Sequence, residues 1–268
     1  MDYTRLVSEI KHKKSNLCIG LDTDIKKIPE FLLKEQDPVY IFNREIIQAT
    51  SDLCVAYKPN MAFYECMGPR GWETLVKSMD WIPDNIFTIA DAKRGDIGNT
   101  SLMYAKTFFE TYDFDAVTVS PYMGEDSVTP FLEYPDKWVI VLGLTSNKGS
   151  TDFQRLECEG KPLYQHVLEK VSSWGNPGNM MFVTGATHAS DFAGLRGILP
   201  EHFFLVPGVG AQGGDLHTIL ESGQNQDSGL LINVSRDILY ASNNKDFAEA
   251  ARNKALSYLS VMESKIPV

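Results

Sequence analysis

Asp91, Lys93 and Asp96 fall within six residues of one another, directly after the apolar run Ile86-Phe87-Thr88-Ile89-Ala90. Opposite charges set this closely suit a reaction that moves a carboxylate or a proton. An ammonium can meet developing negative charge, while a neighbouring carboxylate holds that ammonium in place and keeps it charged. An isolated D-x-K would more simply be an ion pair at the end of an element. Here other polar groups recur at corresponding places and favour chemistry. Asp22 follows the run Leu17–Leu21, and Lys58 follows Leu53–Tyr57. Thr145 and Ser146 come soon after Trp138–Leu142, and Ser235-Arg236 follows Leu230–Val234. Lys58 alone could snorkel to water. Beside Asp22, Asp91 and Lys93 it reads as part of an alternating charge array.

The elements that must position these groups are legible as alternation. Strand-like runs occur at Leu17–Leu21, Leu53–Tyr57, Ile86–Ala90, Ala116–Val119, Trp138–Leu142, Met180–Val183, Phe203–Val206 and Leu230–Val234. Amphipathic segments lie between them, at Val39–Thr50, Trp72–Met79, Thr100–Tyr112, Glu125–Leu132, Leu163–Trp174, Ala189–Leu195 and Gly214–Glu221, and Asp246–Glu263 follows the last. Alternating strands and helices imply right-handed crossovers and a parallel sheet. Eight such units in 268 residues predict a closed (β/α)8 TIM barrel, with Tyr3–Lys13 as an extra N-terminal helix that could cover the barrel bottom. No composition break marks a linker, so one domain over residues 1–268 is expected. In a strand, residues two apart share a face, so Asp91 and Lys93 should point the same way. The polar groups would then converge on the C-terminal rim, where barrels of this kind carry their chemistry. The long polar segment Gly143–Gly160 could be a lid.

Pro207-Gly208-Val209-Gly210-Ala211-Gln212-Gly213-Gly214 is a glycine-rich turn from strand to helix. Its bare amides and the following helix N-terminus make an anion site. The run contains G-x-G-x-x-G, but a dinucleotide site expects the first βα unit and an acid at the end of the next strand. This run follows the seventh strand, and the next strand ends in Ser235-Arg236. An arginine fork there suits a phosphate, which these barrels bind after strands seven and eight.

Bulk composition excludes several classes. A net charge of −10 argues against nucleic-acid or anionic-membrane partners. The five histidines show no H-x-H or H-E-x-x-H pair, so no transition-metal site is expected. Cys18, Cys54, Cys66 and Cys158 lack regular spacing, which fits a reducing cytoplasm. The charged stretch Met1–Asn16 reads neither as a signal peptide nor as a membrane anchor.

D-A-K-R-G-D-I-G-N-T at 91–100, Lys58-Pro59-Asn60, the run Pro207–Asp215 and Ser235-Arg236 together resemble the orotidine 5′-phosphate decarboxylases. The resemblance is closest to their longer bacterial branch, whose signature begins D-x-K-R-G-D-I, and it spans nearly the whole chain. It implies decarboxylation of orotidine 5′-phosphate to UMP in de novo pyrimidine synthesis, without metal or cofactor, by a homodimer. Lys93 resembles the lysine that protonates C6, with Asp91 beside it and with Lys58 and Asp22 near the ribose. Asp96 and Thr100 resemble residues lent to the neighbouring subunit's site. Ser146, with Thr145 next to it, resembles the pyrimidine contact. Gln212, beside Gly213, and Arg236 resemble the phosphate ligands. Two positions depart from the branch: Lys148 stands where proline is usual and Asp237 where glycine is usual. Two other readings carry some of the same motifs. Related Mg²⁺-dependent sugar-phosphate decarboxylases and aldolases share D-x-K-x-x-D but place a metal-binding glutamate where Lys58 stands. A non-catalytic phosphate-ligand barrel would keep Arg236 and the glycine run without needing the charge array.

Overall fold

The computed structural model describes residues 1–185, 191–210 and 215–267. Eight parallel strands close a barrel: β1 (Leu17–Gly20), β2 (Ala56–Lys58), β3 (Phe87–Arg94), β4 (Ala116–Val119), β5 (Trp138–Leu144), β8 (Met180–Thr184), β9 (Phe203–Pro207) and β10 (Leu230–Val234), with β1 pairing to both β2 and β10. The expected TIM barrel is therefore present, with each strand inside or overlapping its apolar run. Strand two starts later than Leu53, because the Leu53 N–H still bonds to Thr50 O at 3.0 Å in the turn that ends the preceding helix.

Two apolar layers fill the fold. Ile89, Trp138, Ile140, Phe203 and Leu231 point into the barrel, while the alternate residues Val139, Val141, Phe204 and Ile232 pack against the surrounding helices. That alternation explains why the strands read as unbroken apolar runs: both faces are covered. Helix Tyr3–Lys13 closes the barrel bottom, as expected. Leu6 and Ile10, four residues apart on one helical face, are fully buried against the interior layer. The Tyr3 ring stacks on Trp138 at 6.1 Å between centroids, and Asp2 caps the helix by accepting the Arg5 N–H at 2.8 Å.

Several helical segments differ from expectation. Thr100–Tyr112 divides into an α-helix, Gly98–Lys106, and a π-helical turn, Thr107–Thr111, closed by Tyr112 N–H to Thr107 O at 3.1 Å. Glu125–Leu132 divides into a 3₁₀ turn, Glu125–Ser127, and a short helix, Thr129–Leu132. Helices Phe192–Ile198 and Leu216–Gly223 begin after the expected starts; Ala189 and Gly214 lie outside the described residues. The segment Gly143–Gly160 carries a helical turn, Ser150–Phe153, and β6 (Glu157–Cys158), which forms a two-stranded antiparallel hairpin with β7 (Lys161–Pro162).

Candidate active site

The C-terminal ends of β1, β2 and β3 bring four charges together. Lys58 Nζ lies 2.8 Å from Asp91 Oδ2 and 3.9 Å from Asp22 Oδ1, and Lys93 Nζ lies 2.5 Å from Asp91 Oδ1. Asp91 thus has an ammonium on each carboxylate oxygen, and Asn60 Nδ2 approaches Oδ2 at 3.4 Å. Burial alone would push the Asp91 carboxyl up. Lys58 and Lys93 outweigh it and hold the group well below the usual carboxylate range. Burial likewise pulls the Lys58 ammonium down, but Asp22 and Asp91 leave it above the ordinary lysine value. Asp91 and Lys58 are both ionised, and the array is dry on the Lys58 side and open at Lys93, whose side chain is 49% exposed.

Simple strand alternation does not account for the Asp91–Lys93 pair. Pairing of β3 with β4 runs from Ala90↔Val117 to Arg94↔Val119, so three β3 residues bulge opposite Thr118 alone. Within the bulge Lys93 has φ +47°, a left-handed conformation that costs a non-glycine residue energy. The two side chains do meet, but through the bulge.

Beside the array a cavity is lined by Asp22, Lys58, Asp91, Gly208, Ser235 and Arg236, among others. Gly208 and Gly210, at φ +97° and +79°, adopt backbone that favours glycine. A Cβ on Gly210 would lie 2.2 Å from the Tyr258 hydroxyl. Ser235 packs over Gly20, where a Cβ would lie 1.8 Å from its Oγ. Arg236 is exposed at the start of the short helix Arg236–Leu239. Gln212 and Gly213 lie outside the described residues. A larger depression at the opposite barrel end is bounded by Tyr3, Glu201 and Asp227, acidic surroundings unsuited to phosphate.

The remaining expected residues sit apart from the array. Gln154 accepts the Thr145 N–H and donates to Thr145 Oγ1, both at 2.8 Å, so the turn Ser150–Phe153 is tied to the β5 end. Ser146 lies against Gly185 beyond β8, where a Cβ would come within 2.6 Å of the Ser146 nitrogen. Asp96 accepts the N–H of Ile97 at 2.8 Å, Thr100 is exposed, and among the described residues no hydrogen bond or ion pair joins either to the array. Of the two departures, Asp237 lines the cavity, half-buried, and is engaged by Tyr258 Oη at 2.5 Å and Lys254 Nζ at 3.1 Å; Lys148 is exposed.

The sequence matches the family described as Orotidine 5′-phosphate decarboxylase / HUMPS over residues 15–251. It is 56% identical over 267 residues to the orotidine 5′-phosphate decarboxylase of Phocaeicola vulgatus, covering 98% of both chains. It is also 56% identical over 259 residues to that of Bacteroides fragilis, covering 95% of this chain and 94% of the other. The chain belongs to this family. The Leishmania donovani OMP decarboxylase structure superposes with a TM-score of 0.83 at 38% identity, covering 98% of this chain and 99% of the other. The Leishmania donovani UMP synthase structure gives 0.85 at 39%; this chain covers only 57% of that longer one. No helix among the described residues is long and apolar enough to cross a membrane.

Sequence reasoning missed several groups that hold the array. Thr118, a lone hydroxyl in the buried run of β4, accepts the Lys93 N–H at 2.9 Å and donates to Asp91 Oδ1 at 3.1 Å. Its type reads equally well as a β-former, so nothing in the sequence singles it out. Tyr240 Oη donates to Asp22 O at 3.1 Å and accepts the Asp24 N–H at 2.8 Å, fixing the turn that carries Asp22. Asn60 carried a readable signal, standing two residues after Lys58 at a strand end.

Proposed function

We propose that this barrel decarboxylates orotidine 5′-phosphate to UMP and CO2, with Lys93 supplying the proton. The observation that carries the reading is a buried carboxylate, Asp91, clamped between two ammonium groups of which one opens to the barrel mouth. The bond from C6 to the carboxylate breaks, and its electron pair stays on C6 in the ring plane, where the ring carbonyls cannot delocalise it. The Lys93 ammonium stabilises that charge more in the transition state than in the ground state, then transfers a proton to C6. One proton is consumed for each CO2 released, and half-exposed Lys93 regains it from solvent. Asp91 aims Lys93 and keeps it charged. Lys58 and Asp22 bind the ribose side; Asp22 Oδ1 is buried and accepts no hydrogen bond from the described residues, leaving it ready for a sugar hydroxyl. Ser146, with Thr145, contacts the pyrimidine. Arg236, Ser235, Gln212, Gly213 and the glycine-run amides hold the phosphate, and that remote binding energy helps close the site.

No metal or organic cofactor takes part in this reaction. Lys58 stands where a Mg²⁺-dependent relative would need a carboxylate, and an ammonium there repels a divalent cation. Asp96 and Thr100 serve the neighbouring site of a homodimer. The exposed apolar side chains Ile97 and Met103, on the loop and helix after β3, and Tyr122 and Met123, on the loop after β4, suit a second copy. The whole chain acts as one cytoplasmic barrel domain in pyrimidine synthesis, without nucleic-acid or membrane partners.

Following the absorbance of orotidine 5′-phosphate with and without exhaustive chelation tests the reading. Equal turnover in both is expected. Activity lost to the chelator and restored by Mg²⁺ would assign the sugar-phosphate reaction class. Nucleotide binding without turnover would leave only a phosphate-ligand barrel.

A further inference from the structure

We infer that Thr118 is a positioning residue for Lys93, setting both the backbone that carries the ammonium and the carboxylate that tethers it. The inference rests on the proposed decarboxylation and deepens it. Thr118 is fully buried at the middle of β4. It is the single β4 residue opposite the three bulged β3 residues Asp91, Ala92 and Lys93. A bulge removes ladder partners, and a buried N–H left without one is costly. The Thr118 hydroxyl takes that role for Lys93, accepting its N–H at 2.9 Å. A hydroxyl has one proton, and with the N–H already pointing at its oxygen, that proton goes to Asp91 Oδ1 at 3.1 Å.

The same Asp91 oxygen holds Lys93 Nζ at 2.5 Å. One side chain therefore fixes two points of the Lys93 geometry: the left-handed backbone at φ +47° and the oxygen to which its ammonium is tethered. Neither contact involves the phosphate or ribose side of the cavity. Loss of the hydroxyl should misplace the proton donor relative to C6 while leaving nucleotide affinity intact, because near-attack geometry is far more sensitive to small displacements than binding is.

Thr118→Val removes the hydroxyl while keeping the shape, and Thr118→Ser and Thr118→Ala form a second pair that differs only by the hydroxyl. Steady-state kinetics with orotidine 5′-phosphate, UMP affinity and thermal midpoints would be measured for all three. Thr118→Val and Thr118→Ala are expected to lose roughly 10- to 100-fold in kcat, with KM and UMP affinity within about threefold of the parent, and Thr118→Ser to recover most of the loss. If Thr118→Val does not fold, the Ser–Ala comparison decides alone. Equal kcat in Ser and Ala, or a kcat loss that follows the thermal midpoint regardless of the hydroxyl, would reduce Thr118 to a structural residue. An inactive parent enzyme would instead overturn the proposed reaction, which separates the two failures.

Discussion

A carboxylate between two lysines stays charged well below the ordinary carboxylate range, because each neighbour favours the ionised form. For Asp91 the folded pKa is depressed, so the pairing contributes stability above the ordinary carboxylate range, near pH 4, and loses it as pH falls through the lowered value. For Lys58 it is raised, so its contribution is present below the ordinary lysine value and is lost only in strong base. Asp91 and Lys58 thus each keep one charge state from roughly pH 5 to pH 9. The proposed phosphate end works differently, because Arg236 is exposed beside the cavity. Arg236→Ala removes a charge-assisted contact worth about 1.5–3 kcal/mol. It should lower kcat/KM for orotidine 5′-phosphate by roughly 10- to 150-fold, and leave any turnover of orotidine, which lacks the phosphate, nearly unchanged. Equal losses with both substrates would remove Arg236 from the phosphate site.

At the scale of elements, the barrel was readable because all eight strands are covered on both faces and so appear as apolar runs. The rim positions of Asp22, Lys58, Asp91, Lys93 and Arg236 followed from where those runs stop. What the sequence hid was local irregularity. Strand periodicity put Asp91 and Lys93 on one face, but a bulge makes the contact, and a bulge depends on the register with β4, which no single run reveals. The hairpin of β6 and β7 is too short and polar to show a period, so Gly143–Gly160 read only as a long polar segment that could be a lid. The π turn after Lys106 buries the adjacent pair Phe108 and Phe109, an arrangement a 3.6-residue stripe does not forecast. Thr118 stayed hidden because its partners come from a neighbouring strand.

Assembly is the scale at which the proposed role of Asp96 is tested. The chain turns away after Gly95 to begin helix Gly98–Lys106, which carries Asp96 and Thr100 off the array and toward exposed Ile97, Met103 and Tyr122. In the proposed homodimer, Lys93→Ala and Asp96→Ala are each nearly inactive alone. A mixed dimer of the two would hold one doubly defective site and one intact site. Random pairing makes half the dimers mixed, so about a quarter of parental activity should return on co-expression under two-fold symmetry. Purifying the mixed dimer through two different tags checks this directly. A mixed dimer as inactive as its parents would confine Asp96 to its own chain.

The role of Lys93 as proton donor is tested most directly by single-turnover decarboxylation in purified, folded Lys93→Ala, alongside its affinity for UMP. Nearly complete loss of CO2 release is expected, with UMP still bound at close to parental affinity. Substantial CO2 release from the variant would contradict the assignment, since Lys58, buried behind Asp91, is not placed to supply the charge and the proton in its place.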